Sequence, residues 1–203
     1  FQYAGHYSKT FSSRREFIDY HAAHRQLFYR DGPTTTVAVE KRPAHGAMQT
    51  TLVLTVNGKV DASSVGDMDT QILLGQLPVL TAASPRRVMV IGWGSGVTGG
   101  SVLTHPGVGS LHAVEIEPAV LEASRFFDDF SRNPLADPRL QMEVNDARHA
   151  LLVDRNTYDV IISEPSNPWM AGLAYLFTRE FYGLAKQRLA PRGVMCQWLQ
   201  LYG

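Results

Sequence analysis

The sequence predicts an α/β fold, a doubly wound parallel sheet preceded by a small antiparallel β-sheet. Three observations predict it. From Val88 onward short apolar runs of strand character alternate with helical stripes, which implies parallel strands with helices on both faces. The first of these runs breaks into a glycine-rich turn, Gly92, Gly94 and Gly96. Upstream, period-two stretches flank an Asn57-Gly58 pair, the strongest short hairpin signal.

Taken in order, residues 13–28 predict a short helix after an aromatic and polar start. TTTVAVE, QTTLVLTV and KVDAS then alternate as antiparallel strands. Asp67 to Leu80 predicts a helix with Ile72, Leu73 and Leu77 on its apolar face and Pro78 near its end. Ser84-Pro85 marks a boundary between an N-terminal segment, 1–84, and a nucleoside-binding domain, 85–203.

In the second part, Val88 to Ile91 reads as a buried strand and Leu111 to Glu117 as the next. Pro118 suits the first turn of a helix whose stripe is Val120, Leu121, Ser124 and Phe127. LQMEV and YDVIIS are the third and fourth strands, Thr178 to Leu189 a helix, and GVMCQWLQLY the fifth strand.

Ligands of such sheets lie beyond the carboxyl ends of the strands, where Glu115, Asp146 and Glu164 all fall. Glu115 follows Gly92 by about 20 residues, the spacing at which an acid accepts from ribose hydroxyls while glycines let the backbone approach the ligand. The loop reads G-x-G-x-G without a third dinucleotide glycine, which favours an S-adenosylmethionine-type ligand over a nicotinamide dinucleotide. Trp93, two residues before Ser95, breaks the nucleophile-elbow pattern and excludes a serine hydrolase. On this reading Asp146 accepts from the adenine amine beside the Ala147 N–H. Glu164 accepts a proton from an amine nucleophile, whose ordinary pKa of about 10 keeps it protonated at neutral pH.

Nineteen basic against nineteen acidic side chains give no field for nucleic acid or anionic lipid. The single cysteine, Cys196, forms no internal disulfide and fits a reducing, cytoplasmic setting as a small buried side chain. No stretch reaches the roughly 18 apolar residues of a membrane span, the N-terminal FQYAGHYSKT lacks a signal-peptide core, and no metal site is expected.

The run NGKVDAS, DTQILLGQLPVL, VMVIGWGSGV, VEIEP, NDAR, IISEPSNPW and FTREFYGLA resembles the spermidine synthase family of polyamine aminopropyltransferases over nearly all of residues 30–203. The similarity is greater to a bacterial branch fused behind transmembrane helices. The resemblance implies a Rossmann-like, class I methyltransferase-type domain behind a β-sheet, often dimeric, with no tightly bound cofactor. Its co-substrate would be decarboxylated S-adenosylmethionine, its acceptor a diamine such as putrescine, and its products spermidine and methylthioadenosine. It also implies donor contacts from Gly92, Gly94, Ser95, Gly96, Glu115, Ile116, Asp146 and Ala147, acceptor contacts from Gln71, Asn167 and Trp169, and Glu164 in place of the family's proton-accepting aspartate.

The departures bear on substrate. Ser95 stands where the family has an aspartate that anchors the donor ammonium, Asn167 where it has a second acid, and Thr70, Gln71 and Ile72 where it has Tyr-Gln-Glu. The polyamine pocket is thus expected to have lost negative charge. N-methyl transfer from intact S-adenosylmethionine, donor cleavage without an acceptor, and a non-catalytic sensing domain of a membrane protein are the alternatives. The chain stops after its fifth strand, where methyltransferase-like folds continue, so a fragment is expected.

Overall fold

The computed structural model describes residues 13–43, 50–166 and 172–199. A helix, α1 (Arg14–Ala22), leads into a four-stranded antiparallel sheet in the order β1 (Arg25–Asp31), β2 (Thr36–Pro43), β3 (Thr50–Val56) and β4 (Lys59–Ser63). Asn57 and Gly58 both take positive φ, 52° and 76°, as the tight β3–β4 hairpin requires. The helix predicted over residues 13–28 therefore ends at Ala22. From Arg25 the backbone pairs with β2 instead, and Phe28 packs on Phe126 at 6.0 Å, tertiary contacts that a local propensity does not foresee.

α2 (Met68–Thr81) follows as expected in extent but turned about its axis. Gln71, Leu74, Gly75, Pro78 and Val79 are buried, whereas Ile72, Leu73 and Leu77 are 39%, 50% and 54% exposed. The helix is apolar on most sides, so periodicity selects no face. The contact with α3 (Val97–Leu103) selects it: a Cβ on Gly75 would stand 2.8 Å from the Thr98 carbonyl oxygen, and only glycine allows that approach.

The second sheet is parallel, ordered β7 (Leu140–Val144), β6 (Ser110–Glu115), β5 (Arg87–Ile91), β8 (Tyr158–Ser163) and β9 (Leu189–Gln197). β-residues alternate between two cores. Val88, Val90, Leu111, Ala113, Val160 and Ile162 face α2, α3, α4 (Pro118–Ser124) and the antiparallel sheet; Met89, Ile91, Val114 and Ile161 pack with α6 (Ala147–Val153) and with Phe181 of α7 (Arg179–Arg188). A four-residue α5 (Asp128–Ser131) lies between α4 and β7. The chain winds from β5 outward to β7 and then returns to the other side of β5, so the direction reverses between β5 and β8.

β6 ends at Glu115 rather than Glu117. Glu117, 1% exposed, caps α4 through the Ala119 N–H (3.0 Å) and also accepts from the Thr34 N–H (2.9 Å), the Thr34 hydroxyl (2.7 Å) and the Thr35 N–H (3.1 Å). One carboxylate thus ties the β1–β2 turn to the parallel sheet. Burial opposes its charge, but these donors outweigh burial and hold its pKa below the usual carboxylate range. Among the described residues no helix is long and apolar enough to cross a membrane.

Candidate active site

The crest above β5, β6 and β8 is the place where a parallel sheet of this winding leaves a crevice. β5 delivers the glycine loop there. Gly92 has φ +87°, and a Cβ on it would stand 2.6 Å from the Glu164 carbonyl oxygen, so the loop after β5 lies directly against the start of the loop after β8. The Glu164 N–H donates to the Ile91 carbonyl at 2.8 Å and fixes that contact. Gly94 (φ +53°) and Gly96 (φ +80°) complete a left-handed turn into α3.

Glu115 closes the other side of the loop. It is 8% exposed, with Oε2 accepting from the Trp93 N–H and Oε1 from the Glu117 N–H, both at 2.9 Å. Burial pushes its pKa up to about 7, those N–H donors pull it back, and the Asp61 charge adds to the rise. Each oxygen retains a second lone pair able to take a hydroxyl. Trp93 itself is buried beneath the loop, its Nε1–H donating to Ser124 Oγ at 3.1 Å. Ile116, between Glu115 and Glu117, is 43% exposed and offers an apolar surface on the crest. Asp146 caps α6, with Oδ1 accepting the His149 N–H at 2.9 Å, and Ala147 is buried behind it.

Ser95 and Gln71 are brought together and occupy one another. Ser95, 1% exposed, donates its hydroxyl to Gln71 Oε1, and Gln71 Nε2 donates to the Ser63 carbonyl at 3.3 Å. Ser95 is therefore a buried strut between the glycine loop, α2 and the end of β4, a role its position in the loop did not suggest. Asn167 and Trp169 lie outside the described residues.

Glu164 is partly exposed at the end of β8. Burial pushes its pKa up to about 8, a Thr98 hydrogen bond opposes the rise, and the charges of Asp61 and Asp67 add to it. These two acids were not anticipated, and they add negative charge beside Glu164 from outside the positions where Ser95, Asn167 and Ile72 depart from the family. Asp61 is the extra residue of a bulge in β4: Leu54 pairs with Ala62 and Thr55 with Val60. A bulge re-aims a side chain in a way that strict alternation does not reveal. Asp67 accepts from the Ser63 N–H at 2.8 Å, and burial raises its pKa. Lys59 Nζ lies 3.6 Å from Asp61 and donates to Ser166 Oγ at 3.1 Å, bridging β4 to the loop after Glu164. Cys196 on the adjacent β9 is half-buried rather than fully buried; burial and the nearby Glu164 charge raise its thiol pKa. Among the described residues no three His, Cys, Asp or Glu side chains gather to hold a metal ion.

The family model for the spermine/spermidine synthase domain matches residues 69–200. A spermidine synthase of Dictyostelium discoideum is 32% identical over 154 residues, 73% of this chain and 54% of that protein. Putrescine N-methyltransferase 3 of Nicotiana tabacum is 29% identical over 156 residues, 74% of this chain and 41% of the relative. Among solved structures, a spermidine synthase in complex with the transition-state analogue AdoDATO superposes with a TM-score of 0.73 at 24% identity, covering 81% of this chain and 55% of the other. The spermidine synthase from Thermotoga maritima gives 0.70 at 25% identity, with 81% and 54% covered. The chain spans about half the length of the curated relatives it matches.

Proposed function

Because this chain belongs to the spermine/spermidine synthase family, we propose that its crest binds an adenosyl sulfonium donor and transfers an aminopropyl group from decarboxylated S-adenosylmethionine to a diamine such as putrescine. The observation behind this reading is the seating of the Glu164 backbone against Gly92, at a place where the charges of Asp61 and Asp67 act on the Glu164 carboxyl. Two acids and a carboxyl titrating near 8 draw in a cationic amine and accept its proton close to neutral pH. Glu115 takes the ribose diol and Asp146 the adenine amine, with Ile116 and Ala147 beside the ring.

In the transfer, the amine lone pair attacks the carbon next to sulfur. The carbon–sulfur bond breaks with its electron pair moving to sulfur, methylthioadenosine leaves as a neutral thioether, and the longer amine leaves as its ammonium, Glu164 having already taken the proton whose removal freed the lone pair. We read residues 1–84 as the segment that carries Asp61 and Asp67 to the crest and 85–203 as the nucleoside-binding domain. A homodimer, a cytoplasmic location and a membrane-fused parent chain belong to the same reading; light scattering on the purified chain tests the first.

Methyl transfer from intact S-adenosylmethionine is the second reading, favoured by the neutral Ser95 and by the similarity to a putrescine N-methyltransferase. Incubating the protein with each donor, with and without putrescine, separates the two by product mass. Methylthioadenosine with spermidine supports the first reading. S-adenosylhomocysteine with a methylated diamine replaces it by the second. Methylthioadenosine without a longer amine means donor cleavage, and binding without turnover means a sensing domain.

A further inference from the structure

A chain of hydrogen bonds runs along the α6 side of the parallel sheet, from the base of β8 to the crest. Tyr158, 3% exposed, donates its hydroxyl to Asp154, and its oxygen lies 2.7 Å from His112 Nδ1. His112 Nε2 lies 2.7 Å from Glu143 Oε2 on β7. Glu143 Oε1 accepts from Asn145 Nδ2 at 2.6 Å, and Asn145 Oδ1 accepts from the Asp146 N–H at 2.8 Å. Asn145 Nδ2 also lies 3.0 Å from His149 Nδ1, and the His149 N–H donates to Asp146 Oδ1.

Counting hydrogens along this chain sets the charge of His112. Burial and the Asp154 carboxylate push the Tyr158 phenol well above its usual pKa, so it keeps its single hydrogen, which goes to Asp154. Burial opposes charge on Asp154, yet the donors Tyr158 and Asn156 and the facing His112 hold it below the usual range, so it stays ionised and cannot donate back. The Tyr158 oxygen can then only accept, and Nδ1 must carry a hydrogen. Nε2 faces the Glu143 carboxylate and must carry one as well. The ring is an imidazolium held between Glu143 of β7 and Asp154 before β8, whose Oδ2 lies 3.8 Å from Nδ1. Arg87 of β5, beside Tyr158, is the opposing cation.

We propose that His112 is a positioning residue: its imidazolium holds Glu143, and through Glu143 and Asn145 it fixes the Asp146 turn that receives the adenine amine. This rests on the reading of Asp146 given above. Once neutral, the ring has one N–H for two acceptors; Glu143, 32% exposed, turns to water and releases Asn145.

The test compares methylthioadenosine affinity of wild type and His112→Gln by calorimetry across pH 5.5 to 9. The ratio of the two dissociation constants should be five- to tenfold at low pH, where the ring donates from both nitrogens, and fall to one at high pH. Ionisation of Glu115 affects both proteins alike and cancels in that ratio. A ratio independent of pH overturns the proposal, because a merely structural histidine would give that. NMR of the ligand-free protein provides a second readout. The Asp146 amide shift should show a pH transition in wild type that is absent from both His112→Gln and Glu143→Gln. An Asp146 amide that behaves alike in all three proteins also overturns it. If methylthioadenosine binds at no pH, the adenosyl reading fails, and the amide shifts still decide the coupling.

Discussion

Glu164 and Asp61 make different contributions to one pocket, and separate variants resolve them. Glu164→Gln keeps the shape of the side chain and removes its basicity. Turnover with decarboxylated S-adenosylmethionine and putrescine should fall by about 10²- to 10⁴-fold, while donor affinity measured by calorimetry stays within about twofold. Ser95 presents no free hydroxyl to a ligand, because Gln71 takes it. An ammonium on the donor tail must find its anion elsewhere, and Asp61 is the acid whose charge is felt at both Glu115 and Glu164. Asp61→Asn should therefore weaken the decarboxylated donor relative to intact S-adenosylmethionine by about tenfold, or about 1.4 kcal/mol. Ser95→Asp places a second acid against Gln71 Oε1 and should disturb that strut before it recruits any ligand. An unchanged affinity ratio in Asp61→Asn would assign the donor tail to another group.

Among the elements, the β1–β2 turn depends on a residue from the other sheet. Glu117 caps α4 and receives three donors from Thr34 and Thr35, and a Cβ on Gly32 would stand 2.0 Å from its Oε1. Glu117→Ala removes a cap and leaves two backbone N–H groups without their acceptor, a loss of about 2 to 4 kcal/mol. For a chain of this size the melting temperature should drop by roughly 5 to 12 °C. Because β4 brings Asp61 to the crest, donor affinity should weaken in the same variant; a lower melting temperature with donor affinity intact would show that β4 keeps its place without this clamp.

For the whole molecule, the carboxyls raised by burial set the pH response. Glu115 and Glu164 titrate near 7 and 8 when folded against an ordinary value near 4.5, so between about 4.5 and 8 the folded chain binds more protons than the unfolded one. Stability from these two groups is fully present below about 4.5 and declines as pH rises through that window. Glu117, Asp137 and Asp154 act in the opposite sense: their depressed values contribute stability above the ordinary carboxylate pKa that is lost as pH falls through the folded one. Thermal melts should show the ligand-free protein softening from pH 5 to 8. The stabilisation added by a sulfonium donor should grow over the same range, because its positive charge favours the ionised acids. A donor shift that shrinks with rising pH would mean that the two acids do not face the sulfonium.

What the sequence determined by itself is the local and periodic part. The Asn57-Gly58 hairpin, the strands Arg87–Ile91, Leu140–Val144 and Tyr158–Ser163, and the glycine loop each follow from backbone limits or apolar runs within a few residues. The crest of Glu115, Asp146 and Glu164 follows too, because a parallel sheet puts every strand's carboxyl end on one side. Only the tertiary structure decided the rest. α2 buries Gln71 and Gly75 rather than Ile72 and Leu77 because its partner α3 tolerates no Cβ at one position, a steric fact absent from α2's own pattern. Residues 25–31 pair as a strand because β2 offers an edge, and Glu117 leaves its strand because Thr34 and Thr35 arrive to bind it. Asp61 is carried by a bulge that breaks the two-residue period, and the burial that lifts Glu115 and Glu164 toward neutral pH exists only in the folded chain.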